Sequence, residues 1–302
     1  MLDKISKNLI EKVAGLHELP NGALSFRKNG KGELIRSTPS IVIEKKEDLS
    51  GINIFVKSTC QNEACHIPVV VSESGLFDVV YNDFYIEENA HVVIVAGCGV
   101  HSDTESGHNG IHTLHVGKNA HVEYIENHLA TGKGKKQINP VTNIILEEGS
   151  HVVMKTTQLG GVSFSNRITN AKLKKSSILE VEEKILTDRF DVAKTNFKVD
   201  LIGENSKCKV VSKSVARDES EQIFKSNIVG KNMCFGHVEC DGILLDRASI
   251  ESCPKVSAKH NLASLSHEAA IGKIANDQIV KLMTLGLTEK EAEEKIIEGF
   301  LK

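Results

Sequence analysis

Ile86-Glu-Glu-Asn-Ala-His-Val-Val-Ile94 returns as Val116-Gly-Lys-Asn-Ala-His-Val-Glu-Tyr124, and again as Leu146-Glu-Glu-Gly-Ser-His-Val-Val-Met154. Weaker copies begin at Leu173, Ile202 and Leu245. The first four copies lie about 30 residues apart. Self-similarity at a fixed period of this size is the mark of a solenoid or a propeller. Every copy has the same grammar: an apolar strand end, a polar or Gly turn, a small residue, then an alternating strand. A unit this small cannot bury its own apolar face, so it must stack on its neighbours.

Outward from the repeat, residues 23–262 carry short β-like runs such as Ile52-Asn-Ile-Phe-Val56 and Pro68-Val-Val-Val71. Gly and Asn turns punctuate them, with no intervening helical pattern. Many apolar residues come in runs, as expected of strands covered on both sides. Before this region, Ile5, Leu9, Ile10 and Val13 fall at helical spacing and predict a short amphipathic helix that packs on one end of the stack. After it, Ile271, Ile274, Ile279 and Leu282 predict a helix that begins at His267 and ends before Gly286. Thr288-Glu-Lys-Glu291 reads as a capping box opening a second helix, which presents Ala292, Ile296, Ile297 and Phe300. The expected division is residues 1–20 as an N-terminal helix, 21–263 as the β core and 264–302 as a C-terminal helical pair. That pair is too small to fold alone, so it must cap the β body, bind a partner, or both.

Composition narrows the function. The chain of 302 residues is 40% apolar and 25% charged, with net charge −3, which leaves no footprint for nucleic acid. No apolar run is long enough for a membrane span, and the charged N-terminus does not read as a secretory signal. The expected compartment is the cytoplasm. Aromatics are 4% and Trp is absent, which argues against base- or sugar-stacking platforms. Seven cysteines in a reducing compartment do not suggest a disulfide framework.

Chemistry-bearing side chains gather late: Cys234, His237, Glu239, Cys240, Asp241, Cys253, His260, His267 and Glu268. Thiolate beside imidazole and carboxylate suits zinc, iron or an iron–sulfur cluster. The spacing of Cys234, Cys240 and Cys253 matches no finger, and the competing reading is thiols filling the β core, with His267 capping a helix. Glu268 in a first helical turn is favoured by the helix dipole whatever its role. Cys60 and Cys65 form a pair with no second pair to complete four ligands. His91, His121 and His151 occupy equivalent repeat positions, read as a half-buried ladder at a turn in preference to a track of metal ligands. His101, His108, His112 and His115 lie in an expected Gly/Ser-rich loop with Asp103 and Glu105, and Gly132-Lys-Gly-Lys-Lys136 reads as a solvated basic loop. The chain carries no phosphate loop, no G-x-S-x-G and no H-E-x-x-H.

The last third resembles the SufB/SufD family of iron–sulfur cluster assembly scaffolds. The resemblance rests on Cys240-Asp-Gly-Ile-Leu-Leu-Asp-Arg247, Pro254-x-Val256, and Ser264-Leu-Ser-His-Glu-Ala-Ala-Ile-Gly-Lys-Ile274. It continues through Asp277-Gln278, Leu285-Gly-Leu-Thr-Glu-Lys-Glu-Ala292 and Ile296-Ile-Glu-Gly-Phe300. It implies a mainly β protein: a right-handed parallel β-helix with a short N-terminal helix and a C-terminal helical pair. It also implies dimerisation at the C-terminal end of the β-helix and docking of a SufC-type ABC ATPase by residues 264–302. ATP would then act only through that partner, and the chain would be a scaffold and not an enzyme.

His267 and Glu268 match the family's His-Glu near the cluster-building interface. Where SufB-like chains commonly place a Cys after Asp-Arg, this chain has Ala248. Cys253 is the nearest thiol, with Cys240 and Cys234 as alternatives. The expectation is a homodimer holding a transient 4Fe-4S cluster on Cys253, Cys240, His267 and Glu268, served by a sulfur donor and a cluster acceptor. Two other readings stand beside it: a structural adaptor of the ATPase complex without its own cluster, and a β-helix enzyme acting on polysaccharide.

Overall fold

The computed structural model describes residues 3–158 and 160–302. The repeat forms a β-solenoid of about eight turns. Each turn lays one strand in each of two sheets, numbered here in chain order. The first sheet runs β2 (Lys31–Arg36), β1 (Ala23–Lys28), β5 (Gln61–Val71), β7 (His91–His101), β9 (His121–Thr131), β12 (His151–Gln158), β14 (Ile178–Thr187), β16 (Ser206–Ala216), β18 (Cys234–Leu244) and β20 (Ala263–Gly272). The second runs β3 (Ile41–Lys45), β4 (Gly51–Val56), β6 (Phe77–Ile86), β8 (Ser106–Val116), the short β10 (Lys136–Ile138) and β11 (Val141–Leu146), β13 (Phe164–Leu173), β15 (Val192–Leu201), β17 (Glu221–Gly230) and β19 (Ser249–Ala258). Pairing is parallel except for β1 with β2 and β3 with β4, two antiparallel hairpins that close the N-terminal end.

The repeated phrase is the corner that leads from the second sheet to the first. Its turn needs one residue in the left-handed region, supplied by Asn89, Asn119, Gly149, Ser176 and Asn205, with φ between 53° and 71°. Asn tolerates that conformation better than most side chains. The small residue that follows, Ala90, Ala120, Ser150, Ser177 or Ser206, is at most 1% exposed. It sits against the stack where a larger side chain has no room. The copy at Leu245 belongs to the opposite corner, from β18 into β19, beside the matching turns at Arg189 and Asp218. Inside, alternate residues of both sheets form one apolar core that includes Ile54, Phe84, Ile94, Leu114, Leu146 and Val210.

The N-terminal helix, α1 (Lys4–Ala14), is capped by Asp3, whose Oδ1 accepts from the Ser6 amide at 2.8 Å, and ends at Gly15 in the left-handed conformation. It does not sit on the end of the stack. It lies along the outer face of β5, β7 and β9, with Leu9, Ile10 and Val13 buried and Ile5 left exposed. Gly97 and Gly99 let it approach: a Cβ on either would stand 2.7 Å from the Val13 carbonyl oxygen or 2.8 Å from the Leu9 Cβ.

The C-terminal end corrects the helix expected from His267. Residues 263–272 are strand β20, which follows β18 in register over ten residues. The free edge of β18 offers a full set of backbone partners, and that ladder outweighs the local helix preference of Ala and Glu. The boundary expected at residue 264 therefore falls inside a strand, and Glu268 has no helix dipole to serve. Helices follow as α2 (Asn276–Met283) and α3 (Glu289–Phe300). The capping box of α3 is complete, with the Thr288 hydroxyl and the Glu291 carboxylate each bonding the other's backbone amide. Ile274, Ile279, Ala292 and Ile297 pack on Val215 and Ile243, so the pair lies along the outer face of β16 and β18.

Asn119→Gly is expected to leave the urea midpoint unchanged or raise it, because Gly adopts the left-handed turn freely. Asn119→Val is expected to cost about 1–2 kcal/mol. Equal midpoints for the two variants would show that the corner does not depend on this backbone state.

Candidate functional site

Strand parity decides where each candidate ligand points. Along β18, Cys234, Val238 and Cys240 face the core, while His237, Glu239 and Asp241 face outward. In register with them on β20, His267 stands opposite Val238 and Glu268 opposite Glu239. His267 and Glu268 are therefore adjacent in sequence but on opposite faces of the last strand, and both are exposed. His237 bonds outward, through Nδ1 to the Ser266 hydroxyl at 2.9 Å. Cys253 lies on β19, in register with Lys225 on the outer face of the second sheet. Its Sγ donates to Glu251 Oε1 at 2.9 Å, and that bond raises the thiol above its ordinary value. Ala248 is in the turn before β19.

Within one chain these residues do not converge. Among the described residues no group of three or more His, Cys, Asp or Glu side chains is placed to hold a metal. Cys253 is the one cysteine that is not buried. Cys234 and Cys240 belong to the apolar core, and burial raises both thiols. Cys60 and Cys65 are core residues too; burial pushes Cys65 up to about 12.

The interior holds a second constellation that the sequence reading placed in a loop. His108 and His112 lie on β8 and point inward, both buried, while His115 faces out and stacks on Tyr85. β8 is a strand because β6 on one side and β10 with β11 on the other complete its ladders. His112 Nδ1 bonds the Tyr124 hydroxyl at 2.6 Å, the Tyr124 hydroxyl donates to Glu126 Oε1 at 3.3 Å, and Asn82 Nδ2 stands 3.2 Å from His112 Nε2. This network assigns the His112 proton to Nδ1.

Arg167 donates to Glu126 Oε2 at 2.5 Å and to His128 Nδ1 at 3.2 Å, and lies 3.6 Å from Glu183 Oε1. Thr195 and Ser212 each donate to Glu183 at 3.0 Å. A parallel branch links Arg27, Asp78 and His108. A cavity of about 20 Å³ lies against His108, His112, Glu126 and His128, room for about one water. Burial opposes ionisation of Glu126, but the Arg167 guanidinium and His128 outweigh it and hold that carboxyl well below its usual range. Glu183 is raised by burial, which Arg167 and the two hydroxyls only partly offset.

Successive in-register partners make a column of Glu126, Thr156, Glu183, Ser212 and Cys240. The buried thiol thus terminates a polar stripe along the inside of the solenoid. The polar residues at alternate positions of Tyr124-x-Glu126-x-His128 were the available sequence signal. Lys136, expected in solvent, is also buried and donates to the Gly132 carbonyl.

Comparison with known proteins points to one family. The family profile described as SUF system FeS cluster assembly, SufBD core domain, matches residues 73–300. An iron-sulfur cluster assembly SufBD family protein of Methanocaldococcus jannaschii is 28% identical over 277 residues, covering 88% of this chain and 86% of the relative. One of Pyrococcus horikoshii is 27% identical over 278 residues, covering 88% and 83%. One of Archaeoglobus fulgidus is 30% identical over 225 residues, covering 74% of this chain and 60% of the relative.

Thiol labelling of the native chain is expected to modify Cys253 quickly and the other six cysteines only on unfolding. Fast native labelling of Cys240 would mean that the terminal turn opens. Burial holds His112 down to about 4 from an ordinary 6.5, so the unfolded chain takes up this proton first as pH falls. Stability is then lost between pH 6.5 and 4, by on the order of 3 kcal/mol, and levels off below. His112→Gln should flatten that part of the pH–stability curve; an unchanged slope would assign the loss to other groups.

Proposed function

The chain belongs to the SufBD family of the SUF iron–sulfur cluster assembly system, and from that footing we propose that it is a scaffold subunit working as a homodimer joined at the C-terminal end of the solenoid. The observation that carries this reading is the open end itself. Among the described residues β19 and β20 are the last strands of the two sheets. β19 is an edge guarded by Pro254 and Lys255. β20 runs ten residues with neither Pro nor Lys and with Glu268 as its one carboxylate, an edge long enough to pair with another chain. Cys253, His267 and Glu268 all lie on these two strands.

Because Cys253, His267 and Glu268 do not converge within one chain, a nascent 4Fe-4S cluster would draw on both copies. Cys253 is the thiolate within reach of solvent, and His267 and Glu268 supply imidazole and carboxylate. Cys240, buried behind β20, would join only if the terminal turn rearranges. Cys234 lies deeper, in the core cluster. Mixed ligation of this kind holds a cluster less firmly than four thiolates and favours hand-off to an acceptor. Sulfur would come from a donor protein.

The rearrangement would be driven by a SufC-type ATPase docked on the helical pair. That pair buries Ile279 and Ile297 on the solenoid and leaves Val280, Met283 and Leu285 exposed, Leu285 at 76%. Exposed apolar side chains on α2 and in the turn after it are suited to a partner. ATP hydrolysis belongs to that partner, and the chain itself is proposed to act without catalysis in the cytoplasm.

A specific observation also favours the adaptor reading. Ala248 stands where SufB-like chains commonly have Cys, and only one cysteine reaches the surface. The test is anaerobic reconstitution with ferrous iron and sulfide, read by absorption together with molecular mass in solution. The scaffold reading expects a dimer whose cluster yield falls severalfold in the Cys253→Ser, His267→Ala variant. A dimer that co-purifies with the ATPase and takes up no cluster would establish the adaptor. A monomer would overturn both.

A further inference from the structure

We propose that His121 and His151, flanked by Glu180 and Glu123, bind one divalent first-row transition-metal ion on the outer face of the first sheet. This site is separate from the C-terminal end, and the proposal does not rest on the cluster-assembly reading.

The ladder places His91, His121 and His151 on three successive strands, in register and on one face. All three side chains are half-buried, which restricts their rotamers. The His121 and His151 ring centres are 4.7 Å apart, and those of His91 and His121 are 5.9 Å apart. Two imidazoles bound to one ion at about 2.0–2.1 Å have ring centres roughly 4.5–5 Å apart. The His121–His151 pair already has that separation; the His91–His121 pair is wider.

Carboxylates stand on the same face, one step along the strands. Glu180 Oε1 is 2.8 Å from His151 Nε2. Glu123, two residues on from His121, accepts from Lys155 at 2.7 Å. Val153 lies between the two carboxylates in the register. Two imidazoles with one or two carboxylates and no thiol suit Fe²⁺, Co²⁺, Ni²⁺ or Zn²⁺, and suit neither soft Cu⁺ nor Mg²⁺. Burial, and then the neighbouring His151 and His91, lower the proton affinity of His121.

The donors are not yet converged. The rings meet edge to face, at 79° between planes, and Glu180 is engaged with His151. The ion is taken up by side-chain rotation, with the His121 and His151 rings turning to aim one nitrogen each at it, Glu180 turning from imidazole to metal, and water in the remaining positions. His91 stands aside. The carboxylate beside a ligating imidazole also orients the ring and raises its basicity.

The test titrates the intact chain with Co²⁺, followed by d–d absorption, and with Ni²⁺, followed by calorimetry. One ion per chain is expected, with nitrogen and oxygen ligation only and no thiolate charge-transfer band. His121→Gln and His151→Gln should each weaken binding by about tenfold or more, and Glu180→Gln by less. His101→Gln, whose ring bonds Thr131 on a different part of the sheet, should have no effect. Binding should weaken as the pH falls, because protons compete with the metal for its ligands. Circular dichroism checks that each variant is folded, and Glu180→Gln keeps the test open if a histidine variant is not. Three results would overturn the proposal: no binding at millimolar metal, binding unchanged in both histidine variants, or a thiolate band that vanishes in Cys253→Ser.

Discussion

Backbone ladders that run in register from coil to coil are the constraint from which everything else in this molecule follows. Once β9 fixes its partners on β7 and β12 residue for residue, every side chain in one coil has a neighbour of the same orientation in the next. A slip by one residue would turn the apolar set outward and the charges inward. The ladder therefore multiplies whatever the repeat carries. Small residues at the corners become a tight seam. Asn143 bonds Asn170, and Asn166 bonds Asn196, across the second sheet. Histidines become a stack, and buried carboxylates become a column.

The polar stripe shows how that column survives in a low-dielectric interior. Two carboxylates share one guanidinium, and each remaining oxygen finds a hydroxyl or an imidazole. Glu126 keeps its charge because Arg167 and His128 face it, whereas Glu183, farther from Arg167, is pushed toward its neutral form. Removing one member would leave another buried and unpaired, so the network is stable only as a whole.

The corner phrase made the solenoid legible, because turn, small residue and alternating strand recur at one spacing and nothing else explains them. The N-terminal helix and the Thr288 capping box were legible for the same reason: they are local devices with local partners. Residues 263–272 were not. Their apolar spacing suits a helix, and only the free edge of β18, formed by residues far upstream, makes them a strand. The histidines of β8 were misplaced likewise, since Gly and Ser around them suggest a loop until two neighbouring strands are laid alongside. The candidate site was readable as a set of residue types. Its geometry was not, because whether Cys253, His267 and Glu268 share a face depends on strand parity. The resemblance carried by Ser264–Ile274 identified the family without locating those side chains.

The two ends of the stack are unlike. At the N-terminal end, sheet edges finish in hairpins studded with Lys31, Glu33, Glu44 and Lys45; at the other, β20 lies bare. A rod that is sticky at both tips would polymerise into a fibre. A rod blunted at one tip has a single valence, so end-to-end growth terminates as soon as that valence is filled, whatever fills it.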